Sequence, residues 1–333
     1  MKFKMNAVLT SFKRIFGLVL VALLCVSCGG LPNLRSNPWE VVSLPAEADL
    51  ADISFVGDRG WLVGSNSTLL ETTDGGVTWQ AKELDLGEGK YRFDAVSFAG
   101  EEGWIVGAPS LLLHSTDSGN TWSRIPLNSK LPGQPRSIEA LSPHSAEIVT
   151  SVGALYQTND DGKTWKALVQ QAVGVVRNIS RSQDGRYISV SSNGSFYSTW
   201  EPGQDAWQPH NRYSSRRIQN MGFASGNRFW MLARGGQIQF SEPGEDESWE
   251  EPQYPELVTS WGLLDLAYRT PDEIWVAGGS GNLLCSTDGG ATWQKDRAVE
   301  SVPSNFNKVE FFSADRGFIL GQRGTLLRYA GAA

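Results

Sequence analysis

Four aspartates recur at a spacing that chemistry could use. Asp74, Asp117, Asp160 and Asp288 each stand in a short phrase of hydroxyl, acid, glycine and Thr-Trp. Paired carboxylates are what acid–base hydrolysis of a glycosidic bond needs. A second set is cationic. Residues 172–240 hold eight arginines (177, 181, 186, 212, 216, 217, 228 and 234), no lysine and three acids (Asp184, Glu201 and Asp205), a local charge of +5. A guanidinium presents a planar fork of N–H donors, so exclusive use of arginine favours directed binding of carboxylates or backbone carbonyls over diffuse charge. Three histidines leave little for general acid–base work and exclude most histidine-based metal clusters, and no metal or cofactor is expected. Three cysteines exclude a disulfide-rich scaffold or a multi-thiolate zinc site.

The elements that position these residues are repeats. Thr72-Thr73-Asp74-Gly75-Gly76-Val77-Thr78-Trp79 returns as Ser115 to Trp122, Thr158 to Trp165 and Ser286 to Trp293. Worn copies end at Trp207 and Trp249, where Glu-Pro-Gly replaces the Asp-containing turn, and Trp39 stands alone. The seven tryptophans at 39, 79, 122, 165, 207, 249 and 293 are 40, 43, 43, 42, 42 and 44 residues apart. In each phrase the hydroxyl and Asp side chains can bond backbone amides of a turn while glycine accepts positive φ, and Thr-Trp opens the next strand with its indole beneath the turn. A second register precedes the phrase. Gly60-Trp61-Leu62-Val63-Gly64 matches Gly103 to Gly107, Phe229 to Leu232, Ile274 to Ala277 and Gly317 to Gly321, and another short apolar strand comes before each.

Four short strands in about 43 residues make one propeller blade. The last unit, Val309 to Tyr329, lacks a Trp-bearing fourth strand, while Trp39-Glu40-Val41-Val42 is a fourth strand lacking the first three. The expected fold is all-β: a seven-bladed β-propeller with four antiparallel strands per blade, closed by the N-terminal strand completing the last blade. Trp61, Trp104, Trp230 and Trp275 are expected in the core. Trp200 and Trp261 fall outside both registers and are the aromatic residues set aside as partner contacts.

The first 27 residues form a separate segment. Lys2, Lys4, Lys13 and Arg14 precede an apolar run from Ile15 to Cys25, too short to span a bilayer and ordered like an export signal. Val26-Ser27-Cys28-Gly29-Gly30 resembles a bacterial lipobox, with Cys25 where that pattern prefers leucine. The expected organisation is a lipoprotein signal peptide at 1–27, lipidation at Cys28, an anchor linker at 28–37 and the propeller at 38–333. Cys285 is then left without a partner. Without the signal the chain carries 25 basic and 36 acidic residues, a net charge of −11, and no basic run, which excludes nucleic acid as a partner class.

The S/T-x-D-x-G-x-T-W phrase is the Asp-box signature, shared by sialidases, some glycoside hydrolases and several non-enzymatic propellers. It identifies blades and says nothing of activity. A closer resemblance lies in Asn211-Arg212-Tyr213-Ser214-Ser215-Arg216-Arg217-Ile218-Gln219-Asn220-Met221-Gly222-Phe223, with Ser198 to Gly203 upstream and Met231 to Ile238 downstream. There the chain resembles the photosystem II assembly and stability factor family, lumenal propellers of cyanobacteria and chloroplasts. The resemblance implies a non-enzymatic helper at the lumenal side of the thylakoid membrane. Its implied partners are newly made reaction-centre core protein, the precursor of that protein and early assembly intermediates.

Topology sorts the arginines independently of that resemblance. If the Asp-box turn joins strands three and four, the opposite face carries the interblade links and the turns between strands two and three. Arg212, Arg216 and Arg217 fall in such a link, Arg234 in a strand two–three turn, and Arg177 just before a first strand. These five are expected to converge as a protein-docking patch, with Arg181, Arg186 and Arg228 nearer the other face. The rest of the mature chain has 17 basic and 33 acidic residues, so the patch opposes the sign of the molecule. Two other readings are a generic envelope assembly scaffold and an Asp-box glycosidase or sialidase-like hydrolase. Arg124-Ile125-Pro126 echoes the sialidase arginine motif but follows a blade tryptophan, and no Tyr/Glu pair is placed to face the arginines. The acid of each Asp box is read as a turn residue.

Overall fold

The structure is a computed structural model that describes residues 34, 36–87, 89–169, 171–211, 215–243, 248–255 and 262–331. Its strands fall into seven antiparallel sheets, each built from consecutive strands except the one the two termini share. We number these blades 1 to 7, starting at Leu50. Blade 1, for example, runs Leu50–Val56, Arg59–Gly64, Leu69–Thr72 and Gln80–Ala81. Blade 7 joins Phe306–Ser313, Arg316–Gly321 and Leu326–Tyr329 to the N-terminal strand Trp39–Val42. The closing register pairs Trp39 with Tyr329 and Val42 with Leu326. The ring therefore closes as the repeat arithmetic requires. Among the described residues blade 5 has three strands, Ile218–Ala224, Arg228–Ala233 and Gln237–Phe240, with two bridges, Ile238 to Gln253 and Ser241 to Trp249, at its fourth position.

The Asp box behaves as its residue types dictate. In blade 1 the Asp74 carboxylate accepts from the Thr78 amide at 2.9 Å and from Thr78 Oγ1 at 2.6 Å, while Thr72 Oγ1 accepts from the Gly76 amide at 3.1 Å. Trp79 Nε1 donates to the Gly76 carbonyl at 3.1 Å, so the indole lies under the turn. Asp117, Asp160 and Asp288 repeat these bonds. Each acid is thus spent on its own turn. The Thr78 hydroxyl holds Asp74 well below the usual carboxylate range. Asp117 sits at about 2, where bonds from Thr121 and Ser115 outweigh the opposing effect of desolvation.

The core consists of layers between neighbouring blades. Trp61, Val63 and Leu69 of blade 1 pack with Phe93, Phe98 and Ile105 of blade 2. Trp104 and Val106 continue against Ile138 and Ile148 of blade 3. Trp61, Trp104, Trp230 and Trp275 are all buried. The glycine that opens the second strand has a reason. Phe98 lies across Gly103, where an added Cβ would come 2.1 Å from the ring, and Phe55 and Phe311 cover Gly60 and Gly317 in the same way. That bare backbone lets Phe98 lie flat, stacking on Trp61 with ring centroids 3.4 Å apart.

First strands of neighbouring blades brace one another with side chains. Asp52 Oδ2 accepts from the Val96 amide at 2.9 Å, Asp265 Oδ2 from Val309 at 2.9 Å, and Ser180 Oγ donates to Met221 O at 2.6 Å. Lys308 closes the ring by pairing with Asp52 and, at 2.7 Å, with Glu310. Burial pushes Asp265 up to about 7.

Candidate protein-docking face

Turns between strands one and two and the Asp-box turns share one face of the disc: the Gly75 amide donates to Asp58 O, Ser118 to Glu101 O and Gly289 to Asp272 O. Interblade links and the turns between strands two and three form the other face. There the Ile218 amide of the link into blade 5 donates to Gly194 O, and Arg234 N to Arg217 O at 2.9 Å. Close approach demands glycine at Gly194, whose φ is +64° and where a Cβ would meet Ile218 O at 2.2 Å.

This second face gathers four of the five candidate arginines. Arg216 Nη1 donates to the Arg234 carbonyl at 3.1 Å, and its guanidinium lies 4.8 Å from the centre of the Tyr254 ring, a cation–π contact. Arg217 and Arg234 are exposed and tied to each other through the backbone. Arg177 is half-buried. It donates through Nη1 to Gln219 Oε1 at 2.7 Å and through Nη2 to Ser192 O at 3.1 Å, bridging blades 4 and 5. It is the second residue of the first strand of blade 4, Val176–Arg181, and does not precede that strand as expected. Arg212 lies outside the described residues, as do Trp261 and Cys28.

The remaining three arginines sit at the opposite ends of their strands, and each is matched by an acid. Arg181 pairs with Glu147 at 3.0 Å, Arg186 with Asp184 at 2.9 Å, and Arg228 with Glu250. Among the described residues, no carboxylate stands at ion-pair distance from Arg177, Arg217 or Arg234. These three arginines are neutralised where they stand, whereas Arg177, Arg217 and Arg234 have no described acid beside them on an otherwise acidic molecule. Exposed Val175 and Tyr254 add apolar and aromatic surface beside it, and aromatic-plus-arginine surfaces are typical of protein-binding hot spots.

One aromatic expectation is corrected. Trp200 is buried at 3 % exposure and contacts Tyr187 in the layer between blades 3 and 4. It occupies the place of the box Ser/Thr in blade 4, pairing with Tyr187 as Thr72 pairs with Gly60. Its Nε1 donates to Gln204 O at 2.9 Å and holds that turn in place of a hydroxyl. The residues missed in the sequence are Tyr254, Val175 and Gln219. Tyr254 follows a worn repeat and Val175 lies in a link, so neither has a counterpart that would mark it.

The hydrolase features are absorbed structurally. Arg124 lies in the outer strand Ser123–Arg124 and donates to Tyr91 Oη at 3.1 Å. A cavity of about 340 Å3 at the rim between blades 2 and 3 is lined by Leu127, Leu131, Tyr156, Trp165 and neighbours that include no Asp or Glu, so it holds no carboxylate pair.

The family profile described as photosynthesis system II assembly factor YCF48 matches residues 31–330. The chain belongs to this family. A photosystem II assembly lipoprotein Ycf48 from Trichormus variabilis is 61 % identical over 324 residues, 97 % of this chain and 95 % of that protein. The photosystem II assembly protein Ycf48 of Thermosynechococcus vestitus is 57 % identical over 301 residues, covering 90 % of this chain and 86 % of that protein. Among solved structures, one described as YCF48 bound to D1 peptide superposes with a TM-score of 0.88 at 57 % identity, covering 91 % of this chain and all of that one. A GH74 xyloglucanase from Xanthomonas campestris, with TM-score 0.66 and 15 % identity over 88 % of this chain and 53 % of that one, shares the fold alone. Ycf48 membership agrees with the reading drawn from residues 211–223.

Proposed function

We propose that this protein is a non-enzymatic assembly and repair factor for photosystem II. It binds newly made reaction-centre core protein, its precursor and early assembly intermediates through the face formed by Arg177, Arg212, Arg216, Arg217 and Arg234. The observation that carries the reading is the match, at 57 % identity, to a relative bound to a D1 peptide, joined to an arginine face in which Arg177, Arg217 and Arg234 have no acidic partner among the described residues.

The mechanism is capture by a preformed surface. A closed ring of braced blades presents its links with little ordering cost on binding. Arg177 is already fixed by Gln219 and Ser192, and Arg216 by a carbonyl and an aromatic ring. The guanidinium N–H donors of this face take carboxylates and carbonyls of an incoming segment, while Tyr254 and Val175 exclude water beside them. The chain carries no catalytic group in this scheme, since its box acids serve their own turns.

Lipidation of Cys28 after removal of residues 1–27 supplies the second half of the mechanism. A diacylglyceryl group brings two acyl chains, enough for stable anchoring. It confines the propeller to the lumenal thylakoid surface and raises its effective concentration near nascent membrane subunits.

The test is a pull-down from photosynthetic membranes with tagged wild type beside a variant carrying Arg212→Glu, Arg216→Glu, Arg217→Glu and Arg234→Glu. Wild type alone should recover reaction-centre precursors. Recovery by both proteins moves the site elsewhere, and recovery by neither overturns the assembly role. A Cys28→Ala protein is expected in the soluble fraction.

A further inference from the structure

Two of the chain's three histidines meet where composition gave no reason to expect them. At the Asp-box face, between blades 2 and 3, Glu102 Oε1 lies 2.8 Å from His114 Nε2. Glu102 Oε2 accepts from the His144 amide at 2.7 Å and stands 4.0 Å from His144 Nδ1. His144 Nδ1 is in turn 2.6 Å from Asp161 Oδ1. Ligand atoms of Glu102, His114 and Asp161 all lie within 4.8 Å of one another. The four residues come from four segments of two blades. Glu102 opens the second strand of blade 2, and His114 lies near the end of its third strand. His144 sits in the turn between strands one and two of blade 3, and Asp161 in that blade's Asp-box turn.

We propose that Glu102, His114, His144 and Asp161 form a binding site for a divalent zinc-like cation that clips blade 2 to blade 3. The donor set is two imidazole nitrogens and two carboxylates, which suits Zn2+. Zinc holds such ligands at roughly 2.0–2.2 Å, so tetrahedral donors stand somewhat over 3 Å apart. The observed separations of 2.6, 2.8 and 4.0 Å bracket that spacing. Each imidazole nitrogen that faces inward is held now by a proton shared with a carboxylate, and the cation takes the place of those protons.

Charge and support agree with this occupant. Two carboxylates and two neutral imidazoles carry −2, which one divalent ion cancels at a site where Glu102 is 5 % and His114 7 % exposed. Trp104 stacks on His114 with centroids 3.8 Å apart and fixes its ring. Lys163 reaches the other oxygen of Asp161 at 3.1 Å and can remain as an outer partner. Asp161 is the exception among the boxes. The equivalent residues are Gly75, Ser118 and Gly289, all at positive φ, and Asp161 keeps φ +62° while placing its carboxylate in the cluster.

The experiment titrates Zn2+ into chelator-treated full-length protein by calorimetry, in two buffers of different ionisation enthalpy. Beside it run His144→Ala and Asp161→Gly, both at the exposed side of the cluster. Asp161→Gly restores the residue that blades 1 and 6 carry. We expect one Zn2+ per chain, proton release seen as a buffer-dependent heat, and binding weaker by at least about 10–100-fold in each variant, since the loss of even an outer-shell partner costs that much. Metal-free melts of the variants should match wild type. Should His144→Ala melt early, Asp161→Gly decides. Absence of saturable binding, or wild-type affinity in a folded Asp161→Gly protein, overturns the proposal.

Discussion

Arg216 lies across the bare backbone of Gly235. Its Nη1 donates to the neighbouring Arg234 carbonyl at 3.1 Å, and a Cβ on Gly235 would stand 2.0 Å from that same nitrogen. Gly235 also has φ +81°. The turn between strands two and three of blade 5 is therefore shaped to seat a guanidinium. Gly235→Ala should cost about 1–2 kcal/mol for the left-handed backbone and displace Arg216. The expected outcome is a folded protein with a lower melting temperature and weaker binding of a D1-derived peptide. Unchanged affinity in a titration would remove Arg216 from the docking face.

The two classes of arginine should respond oppositely. Arg217→Ala with Arg234→Ala removes charge that no acid among the described residues balances, so peptide affinity should fall with stability nearly unchanged. Arg181→Ala strips a partner from Glu147, whose Oε2 also accepts from Tyr187 Oη at 2.8 Å. Leaving that buried carboxylate short of a donor should cost roughly 1–3 kcal/mol of stability without touching affinity. Salt gives an independent reading. The Debye length shrinks from about 8 Å at physiological ionic strength to about 3 Å at 1 M, so wild-type association should slow with added salt. The double-alanine protein should show a shallower dependence.

Much of this was legible because a tight turn has few solutions. The Asp box needs a hydroxyl, an acid and glycine at fixed offsets, so the phrase survives copying and its period counts blades. Closure followed from what the terminal units lacked. Legibility fails where a residue breaks register. Trp200 looked like a stray aromatic, yet it fills the position that Thr72, Ser115, Thr158 and Ser286 hold elsewhere. Blade 5 was harder still. Among the described residues its outer edge keeps only the bridges at Gln253 and Trp249, and it is the link after that edge that supplies Tyr254. The sign of the arginine segment was legible from composition alone. Which arginines are neutralised was not, because Glu147 and Glu250 lie 34 and 22 residues away from Arg181 and Arg228. Likewise Glu102, His114, His144 and Asp161 share no motif, and only the packing of blade 2 on blade 3 joins them.

The latch sets the stability of the ring. Trp39 is 4 % exposed and meets Trp275 and Tyr329 edge-on at 5.3 and 5.4 Å, joining blade 6 to both ends of blade 7. Removing that indole leaves a large cavity at the seam, and Trp39→Ala should destabilise by about 3–5 kcal/mol. Thermal melts check the magnitude, and hydrogen exchange should rise first in strands Trp39–Val42 and Leu326–Tyr329. Val41→Ala is the control. It lies on the same strand with 66 % exposure and should melt like wild type.

Stability should fall on both sides of mildly acidic pH, through two different sets of acids. The box aspartates have depressed values: Thr78 and Thr72 hold Asp74 down, and Asp117 sits at about 2. A carboxylate that binds its proton less readily when folded contributes stability above its unfolded value, lost as pH falls through that value toward the folded one. Asp265 works in the opposite sense. Burial raises it from 3.8 to about 7, against bonds from Val309 and the charge of Lys308. In that interval the folded chain holds the proton that the unfolded chain releases, so stability declines as pH rises from about 4 to 7. Asp265→Asn keeps an acceptor for the Val309 amide and cannot ionise. Denaturant midpoints measured from pH 3 to 8 should show a shallower decline on the neutral side for Asp265→Asn, with the acid limb retained. Asp117→Asn should reduce the acid limb and leave the neutral side alone. An unaltered neutral slope in Asp265→Asn would mean that Asp265 is ionised in the folded ring and that Lys308 balances it.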